Sequence, residues 1–266
     1  MSESNTVPPL DIAFRVWGSI EKGPVVVLLH EGLGSITQWR DFPSQLHANT
    51  GLTVMAYDRS GYGRSAAGEP KYDADFMHRE ALKALPELLA RLHISEPILI
   101  GHSDGGTIAL IHAASPSNHP KALVTIAAHA YVEAIAVNQI KAATHRRSEI
   151  VKGLAQHHNN PENAFDRWAN VWLSGDFQAF DIRSDNRGIT CPVLVIQGDV
   201  DEYATKNMLP GIASSIENAE SCLESDCGHI VHKDQPDVLI SEIKMFLQID
   251  CPNTGCDDCD RFANIK

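Results

Sequence analysis

The sequence predicts a doubly wound, mainly parallel α/β sheet of about eight strands with a short helical cap. Two observations point to it. Short, continuously apolar runs recur along the chain, and longer stretches with helical spacing separate them. Strands that alternate with helices build βαβ units, and right-handed crossovers then place helices on both faces of the sheet.

Taken in order, Ile12–Trp17 alternates as a half-exposed strand does, whereas Val25–Leu29 is apolar throughout, as a strand buried on both faces must be. Thr53–Tyr57 and 97–100 repeat that form, the second entered by Pro97; 123–128 and 193–196 are two more, and 221–224 is a weaker one. Helical spacing appears at 74–92, 105–114 and 236–247. The alternation lapses over 130–188, a stretch of helical pattern that carries Trp168 and Trp172, four apart and so on one helix face. An insertion between two strands of the sheet reads as a cap over the sheet's carboxyl ends. Residues 1–250 thus form one domain with this insertion, and 251–266, without periodicity, read as a frayed tail.

Composition narrows the function classes. Apolar residues make up 43% and charged residues 21% of 266, the balance of an ordinary globular protein. With 34 acidic against 22 basic side chains, the formal charge is −12, which argues against a nucleic-acid partner, since such proteins concentrate positive charge. No apolar run approaches the roughly 20 residues of a membrane span, and the N-terminal MSESNTVPPL has neither a basic nor an apolar signal region. Six cysteines are too sparse for a disulfide scaffold, so a reduced, cytoplasmic protein without a membrane partner is expected. Composition leaves open whether the chain forms a homo-oligomer.

The strongest chemical signal is Gly101-His102-Ser103-Asp104-Gly105, followed by Gly106. It fits G-x-S-x-G between an apolar strand and a helix. A serine on so tight a turn needs neighbours without bulky side chains two residues away, which Gly101 and Gly105 provide. The turn lifts the Ser103 hydroxyl above the sheet and aims the helix N-terminus at any oxyanion formed there. A serine alone is a poor nucleophile and requires a base and an orienting acid. Asp199, Asp201 and Glu202 follow the 193–196 run, and Cys227-Gly228-His229 follows the 221–224 run.

These residues resemble the α/β-hydrolase superfamily, in its serine-nucleophile, esterase-like form, over nearly the whole chain. The landmarks are Leu29-His30-Glu31-Gly32-Leu33-Gly34-Ser35, Asp58-Arg59-Ser60-Gly61-Tyr62-Gly63-Arg64-Ser65, the nucleophile turn, the Gly198-to-Asp201 loop and Gly228-His229. The resemblance implies a triad of Ser103, Asp201 and His229, with the family's G-x-x-D pattern selecting Asp201 over Asp199. It also implies oxyanion donors at the backbone N–H groups of Gly32 and Asp104. The departure is Glu31, where the family usually has glycine in H-G-x-x-G. An aspartate nucleophile at position 104 is rejected, because His102 would then occupy a glycine position.

The expected function is a serine hydrolase that cleaves a small ester or related acyl compound through an acyl-enzyme, without metal or organic cofactor. A carbon–carbon hydrolase of ring-cleavage products or a lactonase would use the same triad. An acyltransferase and a non-catalytic small-molecule binder rank lower. Pocket candidates are His30, Glu31, His129, Trp168 and Trp172, with His30 read chiefly as a loop-positioning residue. His157-His158 lacks a third metal ligand, and the C-x-x-C of the tail lacks a thioredoxin-like context. Gly32-Leu33-Gly34 has Thr37 where a dinucleotide fingerprint needs its third glycine.

Overall fold

A computed structural model describes residues 5–7 (backbone), 11–69 and 71–249. The expected tail, 251–266, lies outside the described residues. The strands are β1 (Asn5–Val7), β2 (Ile12–Trp17), β3 (Val25–Leu29), β4 (Thr53–Tyr57), β5 (Ile98–His102), β6 (Ala122–Ile126), β7 (Val193–Gly198) and β8 (Ala219–Glu224). They lie in the order β1-β2-β4-β3-β5-β6-β7-β8. β1 and β2 run antiparallel to their neighbours at one edge, and the pairs from β4 through β8 are parallel. The chain is an α/β fold with a mainly parallel sheet and flanking helices.

The helices are α1 (Phe42–Thr50), α2 (Phe76–Arg79), α3 (Leu85–Arg91), α4 (Asp104–Ala114), α5 (Ala134–His145), α6 (Arg147–Leu154), α7 (Pro161–Trp172), α8 (Met208–Ala213), α9 (Val231–Asp234) and α10 (Pro236–Phe246). Alternation along the strands sorts the core into two layers. Val25, Val27 and Leu29 join Met55 and Leu99 beneath α3, α4 and α7. Val26 and Leu28 join Val54 and Ile100 against α1 and α10. Residues of β3 to β7 are buried on both faces, which is why their sequence reads as unbroken apolar runs. No described helix is long and apolar enough to cross a membrane.

The stretch 74–92 differs from the single α-helix its periodicity predicts. A π-helical turn at Glu80–Ala84 separates α2 from α3. Pro86 lies just inside α3 and has no N–H to offer the preceding turn, so the regular ladder cannot run through unchanged. Between β6 and β7 the chain forms α5, α6, α7 and two short 3-10 turns, at Asp176–Ala179 and Asp185–Gly188.

The topology decides where the loops meet. β3 lies between β4 and β5, so the direction of winding reverses there, and the crevice beyond the carboxyl ends of β3 and β5 is the natural ligand position. Leu29 is in register with Gly101, which sets His30 and Glu31 beside His102 and Ser103. Ser103 joins β5 to α4 with φ 51° and ψ −120°, backbone that a residue with a Cβ avoids. Its N–H donates to the carbonyl of Ile126 at 2.8 Å, and its own carbonyl accepts from Thr107 N–H at 3.1 Å. A Cβ on Gly101 would lie 2.3 Å from the Gly105 carbonyl oxygen, and one on Gly105 would lie 2.1 Å from that of Leu29.

The elbow is therefore packed backbone against backbone. Gly105→Ala should destabilise the fold by about 3 kcal/mol. Gly153→Ala on α6, where an added Cβ meets nothing within 4 Å, should stabilise it by about 0.5 kcal/mol. Urea unfolding of the two variants checks this; equal changes in stability would contradict it.

Candidate active site

The segments that follow β3, β5, β6, β7 and β8 meet above the switch point. After β3, His30 is fully buried and holds the turn that follows: its Nδ1–H donates to the Glu31 carbonyl at 2.8 Å, and its Nε2 accepts from Arg59 N–H at 3.1 Å. Burial, with Arg59 nearby, pushes the His30 imidazole well below its usual range, consistent with a neutral ring. Arg59 Nη2 donates to the same Glu31 carbonyl at 2.8 Å, and the guanidinium lies over the Tyr62 ring. Asp58 accepts from Ile36 N–H at 2.6 Å and Arg64 N–H at 2.8 Å, tying the β4 loop to the β3 loop. His30 is thus a loop-positioning residue and does not line the cavity.

The Glu31 side chain turns towards β5. Its carboxylate lies 3.4 Å from His102 Nδ1, while His102 Nε2–H donates to the backbone carbonyl of His229 at 2.9 Å. Burial opposes ionisation of Glu31, but His102 outweighs it and holds the carboxyl well below the usual carboxylate range. Glu31 therefore fits the family's glycine position: its carbonyl is held by His30 and Arg59, and its side chain reaches His102 at the end of β5.

Asp201 follows β7 in a loop whose Gly198 packs on the histidine loop; a Cβ there would fall 2.1 Å from the Cys227 carbonyl oxygen. Asp201 Oδ1 accepts from His229 Nδ1–H at 2.9 Å and from Tyr203 N–H at 2.8 Å. Burial disfavours the Asp201 carboxylate, yet these donors keep it below its usual range. Asp201 can only accept, so the neutral His229 ring carries its proton on Nδ1 and leaves Nε2 with a lone pair. Asp199 has no hydrogen bond to the His229 ring among the described residues; it accepts from Cys227 N–H at 3.4 Å and lies 3.8 Å from Lys206 Nζ. Glu202 accepts the His229 N–H at 3.2 Å, which fixes the backbone on which the ring is mounted.

Ser103 and His229 line one cavity of about 210 Å³. No hydrogen bond joins the Ser103 hydroxyl to His229 among the described residues; bonds of this kind commonly tighten when substrate enters. The N–H groups of Gly32 and Asp104 are likewise free of hydrogen-bonded partners among the described residues. Trp168 and Trp172 of α7 close the cavity from above, and Trp172 Nε1–H donates to Asp104 Oδ1 at 3.2 Å. His129 also lines it; burial first, then His229, lowers its pKa to about 3, so it stays neutral. Tyr203, Ala136 and Ile140 line the wall as well and were missed by sequence reasoning. Ala136 and Ile140 are four apart on α5, so a hydrophobic-face count over 134–145 could have found them.

The described residues that line the cavity include Glu31, Asp104 and Glu202 but no Lys or Arg. His158 has no metal-ligand arrangement: its Nδ1 accepts from Gly63 N–H at 2.9 Å and its Nε2–H donates to the Leu33 carbonyl at 2.9 Å. A separate group, Cys222, Glu224 and Glu242, brings one donor atom each within 4.8 Å of the others, outside the cavity. The Cys222 thiol, pushed up to about 12 by burial and Glu224, keeps its proton and donates it to Glu224 at 3.2 Å.

Burial raises the Asp104 carboxyl to about 6. The folded state then binds this proton more tightly than the unfolded chain does. Its stabilising contribution is present below about pH 4 and is lost as pH rises through about 6. Asp104→Asn should gain about 2 kcal/mol relative to the parent between about pH 4 and about pH 8. Urea unfolding at the two pH values measures it, and a pH-independent difference would contradict it.

A sequence model of the alpha/beta hydrolase fold matches residues 24–161. Among curated proteins, the chain is 25% identical to an sn-1-specific diacylglycerol lipase, ABHD11, of Danio rerio, covering 91% of this chain and 84% of that protein. It is 29% identical to the serine hydrolase BPHL of Homo sapiens, covering 78% of this chain and 73% of the relative. Among solved structures, MGS-M2, an alpha/beta hydrolase enzyme from a Medee basin deep-sea metagenome library, superposes with a TM-score of 0.75 at 18% identity, covering 96% of this chain and all of that one. With the sheet order, the elbow between β5 and α4 and the match across more than half of its length, the chain belongs to the α/β-hydrolase family.

Proposed function

We propose that this hydrolase cleaves small, uncharged carboxylic esters through an acyl-enzyme on Ser103. The observation that carries the reading is the His229–Asp201 hydrogen bond, which leaves the lone pair of His229 Nε2 available in the cavity that Ser103 also lines. His229 takes the proton from the Ser103 hydroxyl as the oxygen attacks the acyl carbon. Asp201 keeps the ring in the required tautomer and stabilises the cation that forms. The N–H groups of Gly32 and Asp104 hold the oxyanion, each contributing about 3 kcal/mol to lowering the barrier. Collapse of the tetrahedral species expels the alcohol, which receives its proton from His229. Water then attacks the acyl-enzyme with His229 again as base, and release of the acid restores Ser103.

The cavity supports the substrate class. About 210 Å³ suits a short acyl group, and Ala136, Ile140 and Trp172 offer it an apolar wall. Glu31 and Asp104 line the cavity, with no lining Lys or Arg among the described residues, so an anionic acyl group would enter against like charge. This ranks carbon–carbon cleavage of anionic keto acids behind ester cleavage, although the same three side chains could serve it.

A fluorophosphonate probe should label the parent protein and fail to label Ser103→Ala, whose ester turnover should fall by at least about 10⁴-fold. Folded parent protein that resists the probe would instead support a binding protein. A neutral dicarboxylic diester should be cleaved about tenfold faster, in kcat/KM, than its mono-ester anion. A preference for the mono-ester would contradict the charge argument.

A further inference from the structure

Trp168 and Trp172 project from the same face of α7, yet their indole N–H groups have different fates. The Trp172 N–H is taken up by Asp104. Trp168 is only 7% exposed, and its Nε1 hydrogen-bonds to no protein atom among the described residues, although the residue lines the cavity. An indole nitrogen can only donate, and a buried tryptophan usually finds an acceptor for it. This one sits against the oxyanion loop: a Cβ built on Gly32 would fall 2.3 Å from Trp168 Nε1 and 3.0 Å from Asp104 Oδ2. The donor is therefore placed beside Gly32, whose N–H is assigned to the oxyanion of the scissile carbonyl. Phe165 packs edge-on against the ring with centroids 5.9 Å apart, which helps hold its orientation.

From this arrangement we infer that Trp168 is a specificity-determining residue, whose N–H binds an uncharged oxygen one or two atoms from the reacting carbonyl of the substrate. The inference rests on Ser103 chemistry in this cavity and adds an acceptor-bearing acyl group to the substrate class. The acceptor is neutral because Glu31 and Asp104 border the same space. An ether, ketone or ring oxygen satisfies the donor; a saturated acyl chain of the same length leaves it buried and unpaired.

Two esters that differ by one atom test the assignment: 4-nitrophenyl methoxyacetate and 4-nitrophenyl butyrate, in which oxygen replaces a methylene. Their intrinsic reactivities differ, so the quantity read is the ratio of kcat/KM values in the parent against that in Trp168→Phe. The variant should lower the methoxyacetate-to-butyrate ratio about fivefold, chiefly through KM. An unchanged ratio, or equal loss on both esters, would overturn the inference.

A second reading uses the unmodified fold and needs no turnover. The chain has four tryptophans, so ¹⁵N-tryptophan labelling gives few indole signals. The Trp168 N–H resonance should move further downfield with 1-methoxybutan-2-one than with hexan-3-one, ketone analogues of the two esters that have no alcohol to lose, and equal shifts would overturn the inference. Loss of probe labelling at Ser103 in the parent, with the Trp168 shift retained, would sink the esterase reading alone.

Discussion

The site depends on one backbone conformation, the positive φ of Ser103 between β5 and α4. A residue with a side chain holds such a conformation only where its surroundings over-determine it, at a cost of order 1–3 kcal/mol. Here the surroundings are backbone: the Ile126 carbonyl receives the Ser103 N–H, and Gly101 and Gly105 allow carbonyls to approach where any Cβ would collide. The same turn starts α4 at Asp104, so the hydroxyl, the first free helical N–H and the positive end of the helix dipole all converge beyond the sheet. Moving the elbow would move all three together.

Around that turn, buried polar groups lock loops that are far apart in sequence. Asp58 and Arg59 bind the β3 loop, and His30 receives Arg59 while donating to Glu31. Glu31 approaches His102, His102 donates to the His229 carbonyl, and His229 donates to Asp201. A continuous chain of polar contacts thus runs from the oxyanion loop to the orienting acid. Burial keeps the imidazoles of His30, His129 and His158 on the neutral side. Glu31, Asp104 and Glu202 line the cavity without a Lys or Arg among the described residues, which is the basis of the proposed preference for neutral substrates.

Much of this was legible before any coordinates, for identifiable reasons. β3 to β7 are buried on both faces, so their apolar runs had no competing interpretation. G-x-S-x-G is a steric requirement, and sterics are written directly in glycine. The π-turn at Glu80–Ala84 was not legible, because hydrophobic spacing does not distinguish a helix from one with a widened turn. β8 runs two residues earlier than its weak pattern suggested, since Ala219 and Glu220 are half-exposed or exposed and carry little apolar signal. The partner of Glu31 was also hidden: the pairing with His102 depends on the register of β3 against β5, a tertiary fact that single-chain spacing does not contain. The same holds for the unequal fates of the Trp168 and Trp172 N–H groups, which their shared helix face could not separate.

The central claim is that Ser103 becomes covalently acylated during turnover. Rapid-quench mass spectrometry of the protein mixed with 4-nitrophenyl butyrate reads this directly. The account predicts a butyryl adduct on the peptide that contains Ser103, formed in step with the first release of nitrophenolate and lost as the ester is consumed. Turnover of the ester with no adduct on that peptide, or with the adduct on another residue, would contradict it.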